Sequence, residues 1–332
     1  MTWLRNDNLS RAIILLGLIA LFGILTGGAT CSARGLLNVF LQSSTTGLAA
    51  VGQAFVMLTG AIDVSLYGVG VLASVLGAAT MTSRLDLNIV GGEPVSAMVG
   101  VTLMVAVGLA CGAVNGYLVS RLRVPALIAT LGTWQVSVGL AQLVGGGYTT
   151  ANLVPGLSRI GQGTFVGVPF PVIAMLVAFG VAYYVLHFTT FGRSVYAVGG
   201  NAASAHLSGI AVRRVEFLVF VISGFMVGVA AVSIESRMMA ASLRTLSGIQ
   251  LDSIAAAAVG GVSVYGGRGS ILGVLLGTLI IAVLDNGLGA LGAGTEVLYT
   301  VKGAVIILAC GGDFLRESRL GRRRLTPAFT RG

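Results

Sequence analysis

Residues 39–80 read VFLQSSTTGLAAVGQAFVMLTGAIDVSLYGVGVLASVLGAAT and contain one charged side chain, that of Asp63. The charge-free runs on either side of it, residues 39–62 and 64–80, are close to the ~20 apolar residues that a helix needs to cross the hydrocarbon core of a bilayer. The residues around Asp63 are typical of a helix end, a turn and a new helix. This stretch therefore predicts two consecutive membrane helices with a break between them.

The composition of the whole chain supports the same interpretation. Of 332 residues, 55% are apolar and 9% are charged, whereas a soluble domain is about 25% charged. So few ionisable groups cannot build a water-exposed surface, and much of the surface is predicted to face lipid. The formal net charge is +9, but the basic residues lie mainly in loops and in the tail, without interleaved aromatic residues, so no nucleic-acid partner is indicated.

The fold is predicted to be all-α, a polytopic membrane helix bundle that forms a single domain over residues 1–332. Ten candidate transmembrane segments meet or approach the required length, at residues 12–29, 39–62, 64–80, 98–119, 124–144, 169–188, 217–234, 254–265, 271–284 and 297–310. The segment 254–284 has two interpretations, either two short helices or a hairpin that enters the membrane and returns. Short segments interrupted by glycine often line the substrate path of transporters.

The orientation follows from the distribution of Lys and Arg, which favour cytoplasmic loops. With ten crossings and a cytoplasmic N-terminus, 14 of the 20 basic residues lie on the cytoplasmic side and five on the opposite side, while Lys302 lies inside the last span. Both termini are therefore predicted to be cytoplasmic, and residues 313–332 form a basic cytoplasmic tail.

The sequence contains no pattern typical of an enzyme or of a metal site. His187 and His206 have no cysteine or carboxylate at ligand spacing, and the glycine-rich residues 266–269 lack the Lys and Ser or Thr of a phosphate-binding loop. Cys31, Cys111 and Cys310 share no ligand spacing and are interpreted as small buried apolar residues. No catalytic residue, metal or cofactor is predicted, and any ATP that drives transport must be bound by another chain.

Two acidic residues each have two interpretations. Asp63 is either the cap of the helix that follows it or part of a transport pathway, because carboxylates inside membranes are usually functional or well paired. Asp252 has the same alternatives, with capping favoured. Lys302 is expected to reach the membrane surface or to pair locally. Asp285 and Asn286 are expected to close a span at the interface.

Residues 189–214 are the most informative segment outside the membrane. Gly199 and Gly200 are expected to end an irregular turn, Asn201 to cap a short helix over residues 202–207, and Gly209 to end that helix. Arg193, Arg213 and Arg214 flank the segment on the predicted cytoplasmic side. Two interpretations remain, a helix that docks into a partner protein and an ordinary loop held at the lipid headgroups.

The order of several motifs resembles one family, the permease subunits of ribose-type sugar importers of the ATP-binding-cassette class. Residues 192–210 are similar to the loop that such permeases present to their ATPase subunits. The other similar segments are residues 59–65, 115–133, 251–261, 266–269 and 286–288. Ala61 and Tyr67 depart from the family pattern, which has glycine at both positions; a tyrosine there is expected to narrow the path or to alter its selectivity.

The resemblance implies a division of labour. The chain forms the path for a monosaccharide in the bacterial inner membrane, with a cytoplasmic ATPase, an external solute-binding protein and a second permease subunit, identical or homologous, as partners. The residues implied for ATPase coupling are Gly192, Arg193, Gly199, Gly200, Asn201, Ala202, Ala203, His206 and Gly209. Those implied for the pathway or for helix breaks are Thr59, Gly60, Asp63, Ser65, Asp252, Gly260, Gly261 and Asn286.

Two other functions stay open. The same architecture could import branched-chain amino acids or nucleosides, which only transport assays would separate from sugars. An ion-coupled secondary transporter would need intramembrane carboxylates or lysines for ion work. From the sequence, only Asp63 and Lys302 are candidates for that role.

Overall fold

The structure is a computed structural model that describes residues 7–82 and 96–324. Within these residues the chain forms thirteen α-helices. They are α1 (Asp7–Leu25), α2 (Ala33–Leu58), α3 (Leu66–Thr80), α4 (Ala97–Ser120), α5 (Ala126–Gly145), α6 (Ser158–Gln162), α7 (Phe170–Phe188), α8 (Thr190–Gly200), α9 (Ala202–Leu207), α10 (Val212–Met238), α11 (Ile249–Val259), α12 (Ile271–Ala290) and α13 (Thr295–Arg324).

The remaining regular structure consists of short pieces that connect the helices. A 3₁₀ turn at Pro155–Leu157 precedes α6. Strand β1 (Thr150–Ala151) pairs in antiparallel fashion with β4 (Ala240–Ala241), and β2 (Thr164–Phe165) pairs with β3 (Val168–Pro169). The β1–β4 pair ties the segment after α5 to the segment after α10.

Six helices of the described residues, α1, α4, α5, α7, α10 and α12, are long and apolar enough to cross a membrane. The chain is therefore a multi-pass membrane protein with an all-helical fold. Each of the ten predicted spans overlaps a helix, and the other four helices are α2, α3, α11 and α13; half of the predicted span 254–265 lies beyond the end of α11. α11 has 11 residues and a length of about 16 Å, which is too short to cross the hydrocarbon core alone. The ten crossings and the cytoplasmic termini stay predictions.

The core lies where α2, α3, α10, α11 and α12 meet. The second half of α2 is buried almost without interruption, as are most residues of α3. By contrast, α1, α4, α5 and α7 present large aliphatic and aromatic side chains on the outside, including Ile24, Leu143 and Val177. Because lipid tails are as apolar as these side chains, the arrangement is that of a bundle whose outer helices face lipid.

Helices α4 and α10 cross at glycines, so that their backbones touch. A Cβ added at Gly112 would lie 2.5 Å from the carbonyl oxygen of Phe220, and one added at Gly224 would lie 2.8 Å from the Cα of Gly112. Gly108 faces the carbonyl oxygen of Gly224 in the same way. Small residues spaced by four along a membrane helix allow such close approach.

Several boundaries differ from the predicted ones. The residues before Asn201 form the regular helix α8 instead of an irregular turn, because Thr189 caps it by accepting a hydrogen bond from the Gly192 N–H at 3.1 Å. Helix α13 continues to Arg324, so the first part of the predicted tail is helical. Residues 325–332 of that tail, and residues 83–95 of the loop before α4, lie outside the described residues. Cys31 is exposed, which corrects its predicted burial.

Candidate functional site

Two loops that lie about 200 residues apart in the chain meet at the end of α2. The Gly267 N–H donates a hydrogen bond to the Leu58 carbonyl oxygen at 2.9 Å. Gly60 has φ +82°, a conformation that favours glycine, and an added Cβ would lie 3.2 Å from the Tyr265 carbonyl oxygen. The break between α2 and α3 therefore packs, backbone against backbone, on the loop between α11 and α12.

Helix α8 lies directly on this junction. Gly199 is so close to the Leu58 carbonyl oxygen and the Gly267 N–H that no side chain fits there. The Tyr196 hydroxyl donates to the Gly269 carbonyl oxygen at 3.1 Å. Burial raises the pKa of the Tyr196 phenol, so the hydroxyl stays protonated and remains a donor. Gly192 makes a similar close contact with the end of α7, at Val185 and Leu186.

Helix α9 follows α8 and is largely exposed. The prediction of a helix over residues 202–207 is confirmed, and the Asn201 side chain caps it by accepting from the Ser204 N–H at 2.8 Å. Gly209, with φ +82°, follows its end. Ala205 is the buried side chain of this helix. The exposed residues of this segment include the predicted Arg193, Gly200, Ala202, Ala203 and His206, together with Leu207, which is 88% exposed.

The Asp63 carboxylate is the centre of a buried polar chain. Its Oδ1 accepts from the Ser65 N–H at 2.9 Å and from the Ser65 hydroxyl at 2.6 Å, and its Oδ2 accepts from the Ser223 hydroxyl of α10 at 2.8 Å. The Asn115 Nδ2 of α4 donates to the Ser65 hydroxyl at 2.9 Å, and the Thr133 hydroxyl of α5 donates to the Asn115 Oδ1 at 2.6 Å. The chain thus links the α2–α3 break to three other helices.

The other predicted residues of the helix breaks have backbone roles. The Thr59 hydroxyl donates to the Val56 carbonyl oxygen at 2.7 Å within its own turn. Gly260 ends α11 against α12, where an added Cβ would lie 2.6 Å from the Cα of Val274. Gly261 has φ +78° and contacts the guanidinium group of Arg11, whose Nε also donates to the Val259 carbonyl oxygen at 3.1 Å. Gly260 and Gly261 therefore hold α11 close to α12 and α1.

Asp252 does not cap a helix, and the capping interpretation of it is wrong. It lies in the first turn of α11, after Gly248, and its Oδ1 is 2.9 Å from the Lys302 Nζ of α13. The same Nζ is 2.9 Å from Asp285 Oδ2 of α12. Lys302 therefore pairs with two carboxylates on other helices rather than within its own. Asp285 lies inside α12, not at its end, because this pairing provides its counter-ion.

Four polar residues outside the predicted site set contribute to these features: Ser223, Asn115 and Glu235 are buried, and Thr133 is half-buried. Ser223, Asn115 and Thr133 belong to the Asp63 chain. Asn115 and Thr133 lie in a segment that carries the family resemblance, whereas nothing in the local sequence marks Ser223. Glu235 is fully buried in α10, opposite Ser74 of α3. Glu235 was not predicted as a buried residue because it lies one residue beyond the predicted span 217–234, whereas α10 continues to Met238.

The described residues contain no group of three His, Cys, Asp or Glu side chains that could hold a metal ion. His206 is an exposed residue of α9, and the His187 ring lies 4.3 Å from the Tyr183 ring at the end of α7. The two features of the candidate site are thus the backbone contact of α8 with the end of α2 and the α11–α12 loop, and the polar chain around Asp63.

Comparison with known proteins relates the whole bundle to transport proteins. The family described as the permease component of branched-chain amino acid transport systems matches residues 35–310. The ribose import permease protein of Escherichia coli (strain K12) is 38% identical over 314 residues, which cover 92% of this chain and 93% of the relative. The ribose import permease protein of Bacillus subtilis (strain 168) is 38% identical over 280 residues, which cover 82% of this chain and 83% of the relative. The L-arabinose permease protein of Azospirillum brasilense is 33% identical over 317 residues, which cover 94% of this chain and 89% of the relative. No solved structure matches the chain.

Proposed function

The chain belongs to the family of importer permease components, and on that premise we propose that it is the subunit through which a monosaccharide crosses the bacterial inner membrane. The relatives matched over most of their length are named ribose and L-arabinose permeases. A separate cytoplasmic ATPase drives the cycle, an external solute-binding protein delivers the sugar, and a second permease subunit completes the path.

The observation that supports coupling to an ATPase is the attachment of α9. Its exposed face, with Ala203 and Leu207, is continuous through Asn201 with α8. Helix α8 in turn contacts the end of α2 at Gly199, without an intervening side chain. A push on α9 is therefore transmitted through rigid backbone to the α2–α3 break. Such packed contacts switch between discrete arrangements rather than deform continuously.

Arg193, Arg213 and Arg214 are exposed around the same segment, and basic residues favour the cytoplasmic side. We therefore place residues 189–214 in the cytoplasm as the coupling loop. The Asp63 chain lies behind it, at the other side of the α2–α3 break. In this proposal the chain holds α3, α4, α5 and α10 together while the break moves.

The test is capture of the cognate ATPase from solubilised membranes. Ala203→Arg adds bulk and charge to the exposed face of α9, and Gly200→Pro disturbs the end of α8; both are expected to abolish capture while insertion into the membrane is retained. Thr164→Arg is the matched control, because it introduces the same charged side chain at an exposed residue of β2, beyond the other end of α7. It is expected to keep capture of the ATPase. Retained capture in both α9-region variants would disprove the coupling role.

The cargo is tested separately, by uptake of labelled ribose, xylose, arabinose and leucine into cells that express the complete importer. Uptake of a pentose without leucine supports the sugar assignment. Uptake of leucine without any pentose would instead favour the amino acid function that the family description names. Uptake that continues without the ATPase would favour an ion-coupled transporter.

A further inference from the structure

An open cavity with several polar side chains in its wall lies between α2 and α12, beside the turn that connects α1 to α2. Its volume is about 430 Å³, and its wall includes Arg34, Asn38, Gln42, Asp285 and Asn286. This volume lies in the ~300–1,000 Å³ range of small-molecule sites. Helix α2 has 26 residues and a length of about 39 Å. Since α8 packs at the far end of α2, the cavity and the coupling loop are at opposite ends of the bundle.

The α2 side of the cavity is a stripe of polar side chains. Arg34, Asn38 and Gln42 are spaced by four residues, so they lie one above the other on a single helix face. All three are exposed, and Asn286 faces them from α12. Among the described residues, none of these four side chains has a protein hydrogen-bond partner. Their donors and acceptors are therefore available to water or to a ligand.

Such a stripe is incompatible with contact to lipid. A side-chain amide without a hydrogen-bond partner in hydrocarbon costs several kcal/mol. Yet other exposed positions of the outer helices carry aliphatic residues, such as Ile24 of α1. This face of α2 must therefore border water within the protein assembly rather than the bilayer.

The α12 side of the cavity contains a carboxylate whose position is fixed. Lys302 lies 2.9 Å from Asp285 Oδ2 and 2.9 Å from Asp252 Oδ1, so three helices hold the Asp285 side chain in place. A fixed carboxylate beside amides and a guanidinium group offers both acceptors and donors to neighbouring hydroxyl groups, since amides act in both ways. A compact molecule with several hydroxyl groups fits this mixture better than an apolar or a singly charged one does.

We propose that this cavity is a hydroxyl-binding subsite for the monosaccharide at the end of the path away from the ATPase. The proposal rests on the proposed function, because it names where the sugar first contacts the permease. Asn38, Gln42 and Asn286 bind hydroxyl groups of the sugar, and Arg34 lies in the same wall of the cavity. Asp285 is held by Lys302 as a fixed acceptor.

The test combines uptake with accessibility. Asn38→Leu, Gln42→Leu and Asn286→Leu remove hydrogen-bonding groups without large changes of volume, and each is expected to lower ribose uptake roughly three- to tenfold, as for one lost hydrogen bond. Protein amount and ATPase capture are expected to be unchanged. Thr102→Val is the matched control, because the Thr102 hydroxyl bonds only to the Met98 carbonyl oxygen of its own helix. It keeps uptake at the wild-type level.

Accessibility is measured with Asn38→Cys and Gln42→Cys in a Cys31→Ser background, since Cys31 is exposed near the cavity. A membrane-impermeant thiol reagent added from outside is expected to label both positions. The subsite alone would be overturned if the wild-type importer takes up a pentose and the three Leu variants take it up equally well. Failure of the reagent to label the two cysteines, with normal wild-type uptake, would overturn it too. Absence of pentose uptake by the wild-type importer would overturn the proposed function, and with it the sugar as ligand of the cavity.

Discussion

The Ser223 hydroxyl of α10 donates a hydrogen bond of 2.8 Å to the Asp63 carboxylate at the break between α2 and α3. Asp63 is almost fully buried, with 1% of its surface exposed, and it accepts two further hydrogen bonds from Ser65 at the start of α3. The N-cap of α3 is Ser65 and not Asp63, which corrects the capping interpretation; the Asp63 carboxylate instead fixes the turn before α3 and ties it to α10.

This arrangement predicts that Asp63 is first of all a structural residue. Asp63→Ala leaves the buried Ser65 and Ser223 donors without partners, and each such group costs about 1–3 kcal/mol. We expect a marked fall in the amount of folded protein in membranes. Asp63→Asn keeps one acceptor oxygen and is expected to lower the amount less. The measurement is folded protein by size-exclusion chromatography in detergent; a normal amount of either variant with abolished uptake would favour a direct role in the pathway.

Gly199 and Gly200 provide a matched pair for the junction at α8. An added Cβ at Gly199 meets the Leu58 carbonyl oxygen, whereas one at Gly200 has no atom within 4 Å. Gly199→Ala must therefore separate α8 from the end of α2, at an overpacking cost of about 1–3 kcal/mol. We expect it to lower sugar uptake strongly while the ATPase still binds to α9.

Gly200→Ala is the control and is expected to transport at the wild-type rate. Both variants are compared by uptake and by ATPase capture in the same membranes. Equal uptake by the two variants would contradict the role of the Gly199 contact in transmitting motion.

Local features could be predicted from the sequence because their causes are local. Asn201 and Gly209 define the ends of α9 through a cap and a left-handed turn, and both act within a few residues. The positions of the membrane helices likewise follow from the lengths of their apolar runs.

Contacts between distant segments could not be predicted in this way. Ser223 is 160 residues from Asp63, and Lys302 is 50 residues from Asp252. A capping serine and a serine that bonds to another helix look the same in one sequence. The sequence does allow one part of the cavity to be predicted, since the spacing by four of Arg34, Asn38 and Gln42 indicates a polar face of one helix. Only the structure places Asn286 opposite that face.

Lys302 gives a third prediction, because its single ammonium group pairs with two carboxylates. Lys302→Met leaves Asp252 and Asp285 close together without a cation, and because these side chains are partly exposed the cost lies between about 1 kcal/mol for an exposed pair and about 3–5 kcal/mol for a buried one. We expect a large decrease in thermal stability in detergent. The triple change Lys302→Met, Asp252→Asn and Asp285→Asn removes the charges and is expected to recover most of that stability. A Lys302→Met variant as stable as the wild type would show that the pairs do not hold α13 in place.

The crossing of α4 and α10 gives the last prediction. Gly112→Ala places a methyl group 2.5 Å from the Phe220 carbonyl oxygen, and backbone atoms cannot move aside as a flexible side chain can. The two helices must separate, which costs about 1–3 kcal/mol and lowers the melting temperature by roughly 1–5 °C for a chain of this length. Gly132→Ala in α5, where an added Cβ has no atom within 4 Å, makes the same chemical change without the contact and is expected to leave the melting temperature unchanged or slightly raised, since alanine favours helix. Thermal unfolding of both variants in the same detergent decides the matter: equal melting temperatures would mean that the backbone contact between α4 and α10 does not limit the stability of the bundle.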